Sequence, residues 1–270
     1  MHLGIIIDGQ REWADRNQKS HIDGYFLGME KLFQWMFDPT NTIKGVTVLD
    51  VDKEELLTEN YCRNNPEFVV KLNEFIEIQS ELLMDNGWNV RILGYLNSID
   101  KRIRKILIDL ESLNKAENQK CLQLCVNYSG RNEIIRAMRL LKKRGLSMTM
   151  DNFENCLDSS VDIDLILRTG GSSQIKQFLI WQSADSYIQT TKTLWPEVDY
   201  KVFDNAVSYY LEQKRRVTIV CNSLIVSLFL EKSILMNIYP LIDFGGTTGF
   251  ANLFGNKGLN SLLFKIFSDF

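Results

Sequence analysis

Two spacings of apolar residues alternate along this chain. Short apolar runs at Leu3–Ile7, Val46–Val51, Val90–Leu93, Leu122–Asn127 and Asp164–Leu167 predict buried strands, and Ser186–Thr190 predicts a weaker sixth. Between them, apolar residues recur every three to four positions over Gly28–Phe37, Pro66–Met84, Ile99–Leu113, Arg131–Lys143 and Tyr200–Lys214, the spacing of helices. Strands alternating with helices predict an α/β fold: a single domain with a mainly parallel central sheet flanked by helices. The Pro66–Met84 segment carries Phe68, Val69, Val70, Leu72, Phe75 and Ile76, more than one apolar stripe. It is expected to touch apolar material on two sides, the sheet on one and a lipid-lined cavity on the other.

The pattern changes after Arg216. Residues 217–270 hold six charged side chains in 54, against 59 in the preceding 216, which divides the chain into a domain over 1–216 and an extension over 217–270. The extension opens with the apolar run Val217–Leu230, too short to span a bilayer, and ends Gly-rich. It reads as a helical cap or a stretch under no structural selection, with a membrane-docking segment as the third alternative.

Composition adds three expectations. The 270 residues are 45% apolar, enough for a full core, and a formal charge of −3 gives no basic surplus for nucleic acid. Basic clusters at Lys101–Lys105, Lys142–Arg144 and Lys214–Arg216 read as solvated helix faces or as contacts with anionic lipid. Five cysteines without a CxxC pair, and no N-terminal signal peptide, predict a cytoplasmic protein, with peripheral membrane association where the basic clusters meet lipid.

Candidate chemistry gathers where two strands end. Gly4-Ile-Ile-Ile-Asp8-Gly9-Gln10-Arg11-Glu12-Trp13-Ala14 delivers a carboxylate to a helix N-terminus, where free backbone N–H groups can hold an anion and the acid can recruit a divalent cation. Asp164-Leu-Ile-Leu-Arg168-Thr-Gly-Gly171 ends another strand in an arginine able to pair with an anion. Phe178-Leu-Ile-Trp-Gln-Ser-Ala184 and Leu194-Trp-Pro-Glu-Val-Asp199 follow.

These blocks, with Gly24-x-x-x-Gly28 and Thr58-Glu59-Asn60-Tyr61-Cys62-Arg63, resemble the signature blocks of the cis-prenyltransferases, the undecaprenyl diphosphate synthase family, over about residues 2–216. The resemblance implies a Mg²⁺-dependent transferase that condenses an allylic prenyl diphosphate with isopentenyl diphosphate or a related acceptor, giving a cis or irregular isoprenoid. It implies catalytic roles for Asp8 and Asn60, and diphosphate binding by Gly9, Arg11, Trp13, His21, Arg63, Arg168 and Lys176. It also implies a homodimer in which the last block meets the partner subunit's site.

Departures from the family pattern are equally specific. Glu12 replaces a phosphate-binding arginine, Tyr25 a histidine, Gln174 a second arginine and Tyr187 a metal-binding glutamate. Asp185, two positions before Tyr187 and on the same strand face, is the expected substitute metal ligand beside Asp8. The departures leave two further readings: a terpene synthase-like enzyme that ionises a single prenyl diphosphate, and a catalytically silent partner of an active homologue. Leu49–Leu57, long and acidic, reads either as a loop that covers the substrate or as an exposed connector.

Overall fold

The computed structural model describes residues 1–50 and 56–216, apart from the side chain of His21. The substrate-covering role of Leu49–Leu57 and the readings of the extension fall mainly or wholly outside the described residues. The sheet has six parallel strands: β1 (His2–Ile7), β2 (Gly45–Asp50), β3 (Trp88–Gly94), β4 (Lys120–Val126), β5 (Leu165–Arg168) and β6 (Tyr187–Thr190). Their order across the sheet is β3-β4-β2-β1-β5-β6. β1 and β5 are neighbours whose onward connections leave in opposite directions, so a crevice opens beyond their carboxyl ends.

Helices α1 (Gln10–Asn17), α2 (His21–Met36), α3 (Glu59–Asn64), α4 (Pro66–Asp85), α5 (Lys101–Ser112), α6 (Gly130–Lys143) and α7 (Met150–Glu154) join the strands, and residues 200–216 form α8. Alternation along β1 sends Leu3, Ile5 and Ile7 to one face, where they meet Leu32 and Met36 of α2, Leu83 of α4, Leu110 of α5 and Phe203 of α8. Ile6 points to the other face, against Phe178 and Leu179. Both faces are covered, which is why these strands read as continuous apolar runs.

α2 approaches the turn at Trp195–Glu197 closely. A Cβ on Gly28 would stand 2.2 Å from Trp195 Nε1, and one on Gly24 3.1 Å from Pro196 Cγ. Gly24-x-x-x-Gly28 is therefore a packing stripe that lets this turn close over the carboxyl end of β1. At the far edge of the sheet, the Val90 and Ile92 N–H groups donate to Asn114 Oδ1 (2.8 Å) and Glu111 Oε1 (3.1 Å), so the β3 edge is occupied rather than open to another strand.

The predicted strands all form, within one or two residues at each end among the described residues. α1 starts where a helix was expected after Gly9, whereas the short helices α3 and α7 were not expected. α2 starts seven residues before the predicted Gly28, because Ser20 and Asp23 form a reciprocal capping box at its N-terminus.

A buried polar seam crosses the second face. His2 Nε2 meets Thr47 Oγ1 (2.7 Å), Thr47 donates to Gln123 Oε1 (3.0 Å), and Gln123 Nε2 donates to Ser159 Oγ (2.9 Å). Gln182 Nε2 then ties the Ser159 carbonyl (2.7 Å) to Glu133, which also accepts from Tyr128. Burial lowers the His2 pKa to about 4 despite the nearby Asp164 carboxylate.

The sign of the resulting pH dependence follows. Between pH 6.5 and 4 the unfolded chain takes up a proton that the folded chain refuses, so stability falls as pH falls, by roughly 3 kcal/mol in all. In urea titrations at pH 7 and pH 4.5, His2→Gln is expected to lose about 2 kcal/mol less between the two pH values than the wild type. Equal losses would remove His2 from the acid response.

Candidate active site

The carboxyl ends of β1 and β5 bring Asp8, Gly9, Arg168, Thr169 and Gly170 together. Arg168 is 1% exposed and reaches inward, its Nη2 donating to Asp8 Oδ2 at 2.5 Å. Asp8 Oδ1 accepts from the Gly9 N–H (2.8 Å), and the Asp8 N–H donates to Thr169 Oγ1 (2.9 Å). The Trp195 N–H donates to the Asp8 carbonyl (3.0 Å). Asp8 is thus fixed from several directions while its side chain stays 27% exposed.

Gly9 caps α1 in a left-handed conformation (φ 96°, ψ 3°) with no side-chain cap. The first-turn N–H groups of α1 consequently face the crevice beside Asp8, an anion-binding geometry. Arg11 and Glu12 are exposed on that first turn, and Trp13 is half-buried behind them. Glu12 turns back to pair with Arg16.

Next to this cradle, β2 pairs Asp50 with Ile7. Gln10, the first residue of α1 and 3% exposed, donates from Nε2 to Asp50 Oδ1 at 2.7 Å. Asp50 also lines an apolar cavity of about 70 Å³ between α2, α4, α5 and the sheet. One water needs about 10–15 Å³ of such space, so the cavity is larger than a single-water void. Ile22, Tyr25, Leu57 and Phe68 surround it near the carboxyl end of the sheet; Phe33, Leu83, Leu110 and Leu122 surround it further in. Of the two apolar contacts expected for Pro66–Met84, one forms: α4 supplies Phe68, Leu72, Phe75, Ile76 and Leu83 to the cavity and core, while Val70, Ile78 and Leu82 outside that stripe are exposed.

α3 lies at the same end of the sheet, held by buried Cys62 against Ile103 and Val126. Burial pushes the Cys62 thiol up to about 11, which makes it packing rather than a nucleophile. Asn60 and Arg63 are exposed on α3. Lys176 is exposed at φ 48° on a loop anchored by Gln177, whose carbonyl accepts from the Gly130 N–H (3.0 Å). The side chain of His21 lies outside the described residues.

One expectation is corrected by this geometry. Asp185 stands in a turn just before β6, at the amino end of the sheet, where Tyr187 pairs with Leu165. Asp8 follows β1 at the carboxyl end, so the two carboxylates of one chain cannot share an ion. The expectation failed because strand alternation fixes a face but not an end. Arg168, expected to bind a diphosphate, donates from Nη2 to Asp8 in this arrangement, its strand parity turning it inward. Among the described residues no three His, Cys, Asp or Glu side chains gather into a metal cluster.

Comparison with known proteins bears on the same residues. The family model described as "Putative undecaprenyl diphosphate synthase" matches residues 6–218. The chain belongs to the cis-prenyltransferase family. Its curated relatives include an isoprenyl transferase of Streptococcus pneumoniae, 31% identical over 80% of this chain and 90% of the relative. Another, of Thermotoga maritima, is 30% identical over 80% and 95%. A farnesyl-diphosphate-specific undecaprenyl diphosphate synthase of Wigglesworthia glossinidia brevipalpis is 27% identical over 80% and 86%. In fold the chain is similar to lavandulyl diphosphate synthase of Lavandula x intermedia, solved with dimethylallyl diphosphate (TM-score 0.65, 21% identity, 77% and 94% covered). It is also similar to a probable undecaprenyl diphosphate synthase of Campylobacter jejuni (TM-score 0.59, 21% identity, 77% and 93% covered). The enzyme is therefore a prenyltransferase of isoprenoid biosynthesis.

Within that family, this member's altered positions have local explanations. Tyr25 stacks edge-on against Phe26 and lines the cavity. Tyr187 packs edge-on against Tyr210, whose hydroxyl donates to Asp164 (2.7 Å), in place of binding metal. Sequence reading missed Asp50, Gln10 and Thr169. Only the strand register reveals Asp50, whereas Thr169 sat inside a block already recognised. Among the described residues no helix is long and apolar enough to cross a membrane.

Proposed function

We propose that this enzyme transfers an allylic prenyl group from its diphosphate to isopentenyl diphosphate or a related acceptor. One observation carries the proposal: the anion cradle at Asp8, Gly9 and the α1 N-terminus opens directly beside the apolar cavity, joined to it by the Gln10–Asp50 bond. A prenyl diphosphate has the same two-part character, a dianionic head and a hydrocarbon tail.

In this reading the α1 N–H groups and Arg11 hold the allylic diphosphate, and the prenyl chain enters the cavity along α4. Arg168 orients Asp8, and the exposed cations Arg63 and Lys176 attract diphosphate oxygens. The C1–O bond breaks with its electron pair on the leaving oxygen, the acceptor's double bond supplies the pair for the new C–C bond, and Asn60 hydrogen-bonds the departing group. A released diphosphate oxygen takes the proton lost from the acceptor. Asp8 and the diphosphate oxygens form a donor set suited to Mg²⁺, which often takes only one or two protein carboxylates. When bound, the ion would neutralise leaving-group charge. A homodimer belongs to the same reading and is supported by Ile135, Met138, Leu146, Met148 and Met150, apolar side chains exposed on and after α6.

The test is incubation with Mg²⁺ and geranyl or farnesyl diphosphate, with and without isopentenyl diphosphate, followed by mass spectrometry. A longer diphosphate that appears only with isopentenyl diphosphate is the expected result. A hydrocarbon or alcohol formed without it would replace this reading with single-substrate ionisation. No turnover at all would leave a silent partner subunit.

A further inference from the structure

Asp50 is the one carboxylate among the described residues that line the apolar cavity. The cavity it borders is lined mainly by hydrocarbon, Ile22, Val48, Leu57, Phe68 and Val126 among it. It ends β2 in register with Ile7, one residue short of Asp8 on the adjacent strand. Gln10 holds one of its oxygens at 2.7 Å from the first turn of α1, the same turn that forms the anion cradle. The carboxylate therefore lies between the site for the diphosphate and the space for the hydrocarbon tail.

We propose that Asp50 is a further catalytic residue, facing the allylic carbons and stabilising the cation formed there, with Gln10 as its positioning residue. This rests on the prenyl-transfer reading above. As the C1–O bond breaks, both electrons leave on the diphosphate oxygen and the positive charge is shared between C1 and C3. Asp50 forms no bond to carbon. Its fixed negative charge, close by and bordered by apolar side chains, is worth more to that cation than water would be. Acetate-like charge at this position also explains why Gln10 is needed: a carboxylate beside hydrocarbon requires a buried donor to hold it.

The test combines binding and turnover. Wild type and Asp50→Asn are titrated by calorimetry with inorganic diphosphate plus either geranyldimethylammonium ion or an isosteric neutral alkene. Asparagine keeps an acceptor for Gln10, so the fold and the cavity shape are retained; a thermal melt confirms this. The wild type is expected to prefer the cation over the alkene about tenfold more strongly than Asp50→Asn does. With allylic diphosphate, Asp50→Asn is expected to lower kcat about a hundredfold with KM nearly unchanged, and Asp50→Glu to restore part of it. Equal cation preference in the two proteins, or an unchanged kcat, would overturn the role of Asp50 and leave prenyl transfer standing. A wild type that binds neither prenyl probe would overturn prenyl binding itself, and this proposal with it.

Discussion

Asp8→Asn is expected to lower kcat by about a thousandfold or more while the protein still folds. Asparagine matches aspartate in shape, so the backbone bonds to Thr169 and Trp195 persist. What disappears is the charge that faces the crevice. The site would lose its best oxygen donor for a divalent cation, and the leaving diphosphate would keep its full negative charge. Stability should fall as well, because Arg168 is 1% exposed and gives up its bond to the Asp8 carboxylate. Complete burial of both partners would make that loss 3–5 kcal/mol; with Asp8 27% exposed to water, about 2 kcal/mol is expected. Single-turnover kinetics with radiolabelled allylic diphosphate, beside a urea titration, separates the two effects. An Asp8→Asn enzyme retaining a tenth of wild-type kcat would show that Asp8 has a structural role only.

How much of this was legible beforehand depended on the range of the interactions. The strands were readable because both faces of the sheet are buried, which leaves runs such as Leu3–Ile7 uniformly apolar. α3 was not, since six residues rich in polar side chains offer too few turns for a period to show. The start of α2 was present in the sequence as Ser20-x-x-Asp23 and passed unused. Asp8 and Arg168 could be named from their blocks, but not their ion pair, which spans 160 positions and needs β1 beside β5. The Gln10–Asp50 bond needs the register of β1 on β2 in the same way. Asp185 shows the reverse case: correct chemistry and face, at the wrong end of the sheet.

Gly170→Ala and Gly171→Ala together test whether the backbone around Asp8 is itself part of the site. Both glycines are left-handed, at φ 75° and 76°, so alanine at either carries a similar strain of roughly 1–2 kcal/mol. Their surroundings differ. A Cβ on Gly170 would stand 3.0 Å from both the Asp8 carbonyl carbon and Cβ and 3.1 Å from its oxygen, atoms that cannot swing aside as a flexible side chain would. A Cβ on Gly171 would meet nothing closer than Lys192 at 3.9 Å, an ordinary contact. Gly170→Ala must therefore push Asp8 by a few tenths of an ångström relative to Arg168 and the α1 N-terminus, whereas Gly171→Ala leaves it in place. Small displacements of a positioned group are costly to rate, up to about a hundredfold for 1 Å. Similar losses of stability are expected for the two variants, with kcat down about five- to tenfold for Gly170→Ala and within about twofold of wild type for Gly171→Ala. If the two lose activity equally, backbone strain alone accounts for the effect and the placement of Asp8 does not.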